Sequence, residues 1–261
     1  PVNARTPEES GGPLMRTENL HKVYESGDGY NHALKDVNLE VHEGEFLSLV
    51  GKSGCGKTTL LNLLAGLDRP THGQILLKDS VVTGARPDQI GYIFQQPVLL
   101  PWRKIIDNVL LNVEIMGLSR KKHIDRADEL LDLVGLDNVK DLFPHQLSGG
   151  MQQRVAIVRA LIHEPALLLM DEPFGALDAL TRDHMNVELL RIWGTTDTTV
   201  VFVTHDLREA AFLSDRIAVM SSGPGMIREI VESPFDRPRN PDVIHSDEFS
   251  ELTNRLEGLI A

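Results

Sequence analysis

One glycine-rich segment has the residue types and spacing needed to hold a phosphate group. Residues 51–58 read Gly-Lys-Ser-Gly-Cys-Gly-Lys-Thr and fit the pattern G-x-x-x-x-G-K-[ST]. In this pattern the backbone N–H groups converge on phosphate oxygens, the lysine (Lys57) reaches the β- and γ-phosphates, and the Thr58 hydroxyl ligates Mg²⁺. An apolar run, Glu45 to Val50, enters the segment, and helical spacing begins at Thr58, so a helix N-terminus faces the anion. The sequence therefore predicts a nucleotide-phosphate loop.

The residues of this loop predicted to contact the nucleotide are Gly51, Lys52, Ser53, Gly54, Cys55, Gly56, Lys57, Thr58 and Thr59.

Two carboxylates follow a second apolar run. Residues Ala166 to Met170 lead directly into Asp171 and Glu172. Because ligands of α/β proteins bind at the carboxyl ends of parallel strands, these acids should lie at the ligand crevice. We expect Asp171 to hold Mg²⁺ through water. We expect Glu172 to act in catalysis by orienting and deprotonating the water that attacks the γ-phosphate, and Lys57 to act by stabilising charge on the transferred phosphoryl group.

A second glycine turn begins 96 residues after the first residue of the phosphate loop. Residues 147–154 read Leu-Ser-Gly-Gly-Met-Gln-Gln-Arg and open a predicted helix, Met151 to Ile162. A serine hydroxyl and a Gly-Gly turn at a helix N-terminus form a second anion site. Since one nucleotide does not need two cradles in one chain, the simplest interpretation is that this turn acts on a nucleotide held by another subunit.

These residues resemble the signature loop of ABC-transporter ATPases, and the resemblance covers roughly residues 14–240. It implies ATP and Mg²⁺ as the bound groups, and a second copy of the chain as an ATP-dependent partner. Two such cassettes pair head to tail, so that each signature loop closes the partner's ATP site. The signature residues are Ser148, Gly149, Gly150 and Met151.

The same resemblance implies roles for four further residues. Gln95 is similar to the Q-loop glutamine, which contacts metal and water; Asp178 is similar to the D-loop aspartate; His205 is similar to the switch histidine, a catalytic contact to the γ-phosphate. Tyr24 lies where the family has an aromatic residue that stacks on adenine. Tyr30 is the alternative, because the intervening residues could shift the register.

Four stretches, residues 90–97, 99–103, 170–182 and 223–225, resemble the nitrate/sulfonate/taurine importer branch of the family. This branch implies a separate transmembrane permease and, indirectly, a periplasmic or lipid-anchored substrate-binding protein. The cargo would be a small anion-type solute, whose identity stays open. The Leu99–Trp102 stretch is a candidate surface for the permease, although Trp102 could instead pack inside the helical subdomain.

Two other functions within the same superfamily compete with this interpretation. One is an ATPase of another transporter branch, such as an exporter. The other is a nucleic-acid-associated ATPase, but 38 acidic residues against 26 basic ones give a net charge of -12, which does not favour a nucleic-acid partner. No apolar run reaches the roughly 18 residues of a membrane span. We therefore expect peripheral attachment at the cytoplasmic face of the membrane.

The motifs lie on elements that alternate between strand and helix. This alternation predicts an α/β fold with a mainly parallel sheet and a helical insertion. The resemblance implies a P-loop NTPase (ABC ATPase) with a RecA-like, mainly parallel sheet core, an N-terminal antiparallel β subdomain and an inserted helical subdomain. In the N-terminal part we expect Gln74 to Val82 to form one strand. Towards the end, Ser233 to Pro241 is predicted as a surface loop before a last short helix.

The predicted domains are a disordered leader (1–13), an ABC ATPase domain (14–240, with the helical subdomain at about 97–160) and a C-terminal helical tail (241–261).

Overall fold

The computed structural model describes residues 12–27, 29–196 and 198–261. Most of the predicted leader, residues 1–11, lies outside the described residues. The chain divides into two compact units, Pro1–Arg86 with Thr199–Ala261 and Pro87–Thr198, which are described separately below. Within the described residues, no helix has both the length and the apolar character needed to cross a membrane.

The strands, in chain order, are β1 (Met15–Ser26), β2 (Gly29–Val41), β3 (Phe46–Val50), β4 (His72–Leu77), β5 (Ser80–Val81), β6 (Ile90–Ile93), β7 (Leu167–Asp171), β8 (Thr199–Val203), β9 (Arg216–Ser221) and β10 (Met226–Glu232). The α-helices are α1 (Lys57–Leu64), α2 (Ile105–Val109), α3 (Leu111–Ile115), α4 (Arg120–Leu133), α5 (Gly149–Leu161), α6 (Ala179–Trp193), α7 (Leu207–Leu213) and α8 (Asp247–Ile260). Short 3₁₀ turns at Pro144–Gln146 and Pro241–His245 precede α5 and α8.

The first unit contains an antiparallel sheet in the order β2-β1-β4-β5. It also contains β3, which lies between β8 and β9 and is parallel to both, with β10 antiparallel to β9. All five residues of β3 and of β8 are buried, as expected for parallel strands covered on both faces. The core of this unit therefore surrounds the strand that leads into the phosphate loop.

In the second unit, β6 pairs in parallel with β7, so that Ile93 lies opposite Met170. Helices α2 to α6 complete this unit, and α2, α3 and α4 each pack against α5. Residues 94–95 and 171–172 therefore leave the same edge of a parallel pair, as the carboxylate prediction requires.

Two local expectations were wrong. The predicted strand Gln74 to Val82 is a hairpin, because Lys78 and Asp79 take φ values of 47° and 61° and turn the chain between β4 and β5. Strand β10 was not predicted, since its apolar residues do not alternate regularly, and it is recognised only by its pairing with β9. The last helix is confirmed and runs for 14 residues.

The predicted fold class is confirmed, with a mainly parallel sheet core and an N-terminal antiparallel sheet. The exact domain boundaries stay a prediction.

Candidate nucleotide-binding site

The phosphate loop joins the buried strand β3 to helix α1. Gly56, the last loop residue before α1, has φ 98°, in the left-handed region. A Cβ atom at this position would lie 2.7 Å from Leu34 Cδ2 and 2.9 Å from the Ala33 carbonyl oxygen. Only glycine satisfies both the backbone conformation and the space, so the shape of the loop fits the predicted phosphate cradle.

The Lys57 side chain lies under the loop. It is 5% exposed, and its ammonium donates to the carbonyl oxygens of Gly51 (2.9 Å) and Lys52 (3.2 Å). The Cys55 sulfur, a weak acceptor, lies 3.9 Å from the same nitrogen. The Lys57 ammonium is therefore held at the phosphate loop by two carbonyl oxygens. An acceptor oxygen of a ligand can replace the weak contact with the Cys55 sulfur.

The remaining loop residues differ in exposure. Ser53, Gly54 and Thr58 are exposed and Thr59 is half-buried, whereas Cys55 is buried. The Lys52 side chain is exposed and donates to the carbonyl oxygen of Ala261, 2.8 Å away, after the end of α8. The Thr58 hydroxyl is a hard oxygen ligand of the kind that Mg²⁺ prefers, and the Asp171 carboxylate of the second unit is of the same kind.

Gly225, in the turn between β9 and β10, packs closely against the phosphate loop. A Cβ atom there would overlap the carbonyl oxygen of Cys55. The Gly225 N–H donates to Ala33 O and its carbonyl accepts from the Lys35 N–H, both at 3.0 Å. In the sequence, Gly225 stands out only as part of the family-like stretch 223–225, and no pattern there signals its contact with Cys55, 170 positions away.

Tyr24 and Tyr30, the two candidates for the adenine contact, differ in their surroundings. The Tyr24 hydroxyl donates to Asp68 Oδ2 at 2.9 Å and also hydrogen-bonds the Thr59 side chain. Tyr30, on β2, is 72% exposed, against 39% for Tyr24. Tyr24 therefore contacts Thr59 in α1 and Asp68 after the end of α1. These contacts favour Tyr24 over Tyr30 as the residue that contacts adenine. Asp68 was missed by sequence analysis.

His205 follows β8 and is exposed, between two residues with defined hydrogen bonds. The Thr204 hydroxyl donates to Glu209 Oε2 at 2.5 Å, and the Asp206 N–H donates to the Thr204 oxygen at 2.9 Å. The Asp206 carboxylate in turn caps the N-terminus of α7. The backbone on both sides of His205 is therefore fixed by short-range contacts.

In the second unit, the predicted carboxylates lie at the end of β7. Asp171 is its last residue, and burial together with the Asp171 charge raises the pKa of Tyr92 on the adjacent strand. Glu172 has φ 43°, an unusual conformation for a residue other than glycine and one that concentrates at functional sites.

Gln95 and Glu172 are brought together by the turn after β7. An ideal Cβ atom at Gly175 would lie 3.6 Å from Glu172 Oε2 and 3.7 Å from Gln95 Nε2. The Gly175 N–H also donates to the Glu172 carbonyl oxygen at 3.1 Å. Within the second unit, the predicted base Glu172 and the predicted Q-loop glutamine Gln95 therefore both lie close to Gly175.

Three of the four signature residues, Ser148, Gly149 and Gly150, line a cavity of about 560 Å³ in the second unit together with Asp178, whereas Met151 does not line it. Ser148 caps the N-terminus of α5 by accepting from the Met151 N–H at 3.3 Å. Asp178 caps α6 by accepting from the Thr181 N–H at 3.1 Å, and its hydrogen bonds to Thr181 hold the pKa of the Asp178 carboxyl below its usual range. Two helix N-termini therefore open on this cavity.

Comparison with known proteins identifies the family. The family model described as "ABC transporter" matches residues 34–175. An uncharacterized ABC transporter ATP-binding protein of Methanocaldococcus jannaschii, MJ0412, is 46% identical over 94% of this chain and 91% of its own length. Among solved structures, the chain is similar to the ATP-binding cassette MJ0796 in a dimeric post-hydrolysis state bound to ADP and Pi, with TM-score 0.75 and 34% identity over 85% of this chain and 100% of that one.

Two relatives from Synechococcus elongatus have named transport functions. The nitrate import ATP-binding protein NrtC is 45% identical over 93% of this chain, which spans only 38% of that protein. The bicarbonate transport ATP-binding protein CmpD is 44% identical over 93% of this chain and 88% of its own length. From the matched family, the cassette fold and the nucleotide-bound neighbour, it follows that this chain belongs to the ABC transporter family as an ATP-binding cassette that hydrolyses ATP with Mg²⁺.

Proposed function

We propose that this cassette is the ATPase subunit of an importer for a small oxyanion, in the nitrate/sulfonate/taurine branch of the family. The observation that carries the proposal is the match to NrtC and CmpD over 93% of the chain. Nitrate and bicarbonate are both small trigonal oxyanions, and these are the solutes named for the two relatives. Cargo selection would rest with a permease and a substrate-binding protein.

In the first unit, the phosphate loop binds the triphosphate. The Lys57 ammonium exchanges its contact with the Cys55 sulfur for a phosphate oxygen, and the backbone N–H groups of residues 51–59 bind the other oxygens. Tyr24 stacks on the adenine. His205 contacts the γ-phosphate and, with Lys57, stabilises charge on the transferred phosphoryl group.

In the second unit, Glu172 is the general base for the attacking water, and Gln95 helps to hold that water. This assignment is supported by the 3.6 Å and 3.7 Å distances of the two side chains from the same point at Gly175. Thr58, Gln95 and Asp171 are the proposed ligands of Mg²⁺, directly or through water. When bound, this ion neutralises charge on the β- and γ-phosphates.

The signature loop acts on ATP held by a second copy of the chain. Ser148 and Gly149 are exposed, and the α5 N-terminus opens on a cavity rather than on a buried core. This opening leaves room for an anion, and we propose that the γ-phosphate of a head-to-tail partner is that anion. ATP binding would then shift the population from open to closed dimers.

The permease would dock on the exposed apolar residues that follow Gln95. Trp102 is 72% exposed and Val98 is 57% exposed, which supports a docking role over packing within the helical subdomain. Through this contact the subunit would lie peripherally at the cytoplasmic face of the membrane, and a periplasmic or lipid-anchored binding protein would deliver the solute to the permease.

The test is to isolate the complex that the closed dimer forms. The Glu172→Gln chain is tagged, recovered from its native cells with MgATP in mild detergent, and its partners are identified by mass spectrometry. We expect a multi-span permease, and the binding protein that accompanies it can then be titrated with nitrate, bicarbonate and taurine. The matched control is Lys57→Ala, which should recover less permease because it does not bind ATP. Ribosomal or nucleic-acid partners without a membrane protein would overturn the transport proposal.

A further inference from the structure

Lys22, Tyr24 and Asp68 form a connected cluster at the edge of the antiparallel sheet. Lys22 and Tyr24 are two residues apart on β1, so their side chains leave the same face of the strand. The Lys22 ammonium donates to Asp68 Oδ1 at 2.7 Å and to the Arg69 carbonyl at 2.8 Å. Tyr24 uses the other carboxylate oxygen, Oδ2, at 2.9 Å. One carboxylate therefore holds both side chains.

The cluster also fixes which ring face of Tyr24 is covered. The Lys22 nitrogen lies 4.7 Å from the centre of the Tyr24 ring, which is a cation–π contact. Lys22 is only 9% exposed, whereas Tyr24 is 39% exposed. The ring is thus covered by a buried cation on one face and keeps substantial exposed surface.

Asp68 connects this cluster to the phosphate loop. The N–H groups of Leu67 and Asp68 both donate to the carbonyl oxygen of Asn62 in α1, at 3.0 and 3.3 Å. The Tyr24 hydroxyl also contacts Thr59, the residue after the predicted Mg²⁺ ligand Thr58. The position of the ring is therefore set relative to the helix that leaves the phosphate loop.

The electrostatics keep the cluster in one charge state. Burial acts to raise the pKa of Asp68, but hydrogen bonds from Lys22, the Arg69 N–H and Tyr24 outweigh it and lower that pKa. Burial, and then the hydrogen bond to Asp68, raise the pKa of Tyr24, so the phenol remains a donor. The Asp68 side chain is therefore held as a carboxylate that accepts from both Lys22 and Tyr24.

We propose that Lys22 and Asp68 are positioning residues for the nucleobase: they hold the Tyr24 ring at a fixed place beside the phosphate loop, with the face opposite Lys22 open to stack on adenine. The inference rests on the proposed role of Tyr24. The cation also withdraws electron density from the ring and strengthens its stacking against an electron-rich purine.

The test compares a ligand that has a base with one that has none. Dissociation constants for MgATP and for magnesium tripolyphosphate are measured by calorimetry on the full chain, for the variants Lys22→Met, Asp68→Asn, Tyr24→Phe, Tyr24→Ala and Tyr30→Ala. Lys22→Met keeps the length of the buried side chain, and Tyr24→Phe keeps the ring but removes its tie to Asp68. The matched control is Lys35→Met, an exposed lysine on β2.

We expect Lys22→Met and Asp68→Asn to weaken MgATP binding about ten-fold, on the scale of a partly desolvated cation–π contact and its hydrogen bonds, with tripolyphosphate affinity unchanged. Tyr24→Phe should weaken MgATP binding less, and Tyr24→Ala at least as much as Lys22→Met. In the ATPase assay the KM for ATP should rise while kcat at saturating ATP stays the same.

Three results would overturn the inference. Equal losses of MgATP and tripolyphosphate affinity would mean that the cluster only supports α1. Full MgATP affinity in Lys22→Met and Asp68→Asn, with a loss in Tyr24→Ala, would mean that the ring needs no positioning. A loss in Tyr30→Ala but not in Tyr24→Ala would move the stacking residue to β2. If the unmodified chain bound neither ligand, the nucleotide-site assignment itself would fail, which is distinct from these three results.

Discussion

The two glycine turns of this chain both open a helix, yet they are built in opposite ways. In the phosphate loop, Gly56 is enclosed by Leu34 and Ala33, and Lys57 is buried. In the signature loop, a Cβ atom at Gly149 would meet no atom within 4 Å. The first turn is tightly packed at Gly56, although Gly54 in the same loop also has open space around it, whereas the second turn is open at Gly149. This difference fits the proposal that the signature loop acts on a nucleotide held by a second copy of the chain.

The largest expected effect is on catalysis, with no change in nucleotide binding at the phosphate loop. Glu172→Gln removes the proposed base without touching the phosphate loop, so turnover should fall about 10²- to 10⁴-fold, the usual contribution of general base catalysis. The dissociation constant for MgATP should be unchanged. Phosphate release and calorimetry measure the two quantities, with the exposed Glu164→Gln as the control. Near-normal turnover would refute the base assignment.

A smaller effect tests the packing difference between the turns directly. Gly56→Ala must adopt a left-handed conformation and meet the Ala33 carbonyl, which together should cost about 2–4 kcal/mol and lower both Tm and MgATP affinity. Gly149→Ala, at the exposed start of α5, should change stability by less than about 0.5 kcal/mol. Thermal unfolding with and without MgATP measures both. Similar losses in the two variants would contradict the comparison.

The smallest expected effect tests whether the signature loop binds the γ-phosphate of a partner's nucleotide. Gly150→Glu places a negative charge where the partner's γ-phosphate is proposed to bind, and a Cβ there makes only an ordinary 3.5 Å contact with Thr181. In the Glu172→Gln background, the ATP-dependent dimer should weaken at least ten-fold, about 1.4 kcal/mol, as like charges approach. Sedimentation measures the dimer, and MgATP affinity of the monomer should not change. A dimer of unaltered strength would mean that this loop does not face a partner's nucleotide.

Much of the fold and of the candidate site could be predicted because the signals are local. The run from β3 through the loop to the end of α1 covers residues 46–64, and the run from β7 into Glu172 covers residues 167–172. Apolar periodicity and glycine placement indicate the strands, turns and helices of such segments without reference to any tertiary contact. The hairpin at Lys78 and Asp79 was missed because neither residue is a glycine or asparagine, so the turn was visible only in their positive φ values.

By itself, the sequence determined the phosphate loop, the carboxylate pair, the signature turn and the alternation of strands and helices that carries them. The tertiary structure decided which tyrosine is tied to the phosphate-loop helix, since Asp68 is 44 residues from Tyr24. It also decided that β10 pairs with β9 and that Gly225 supports Cys55. The physical reason is the same in each case: these contacts join residues far apart in the chain, and their energy depends on a close approach that no local pattern encodes.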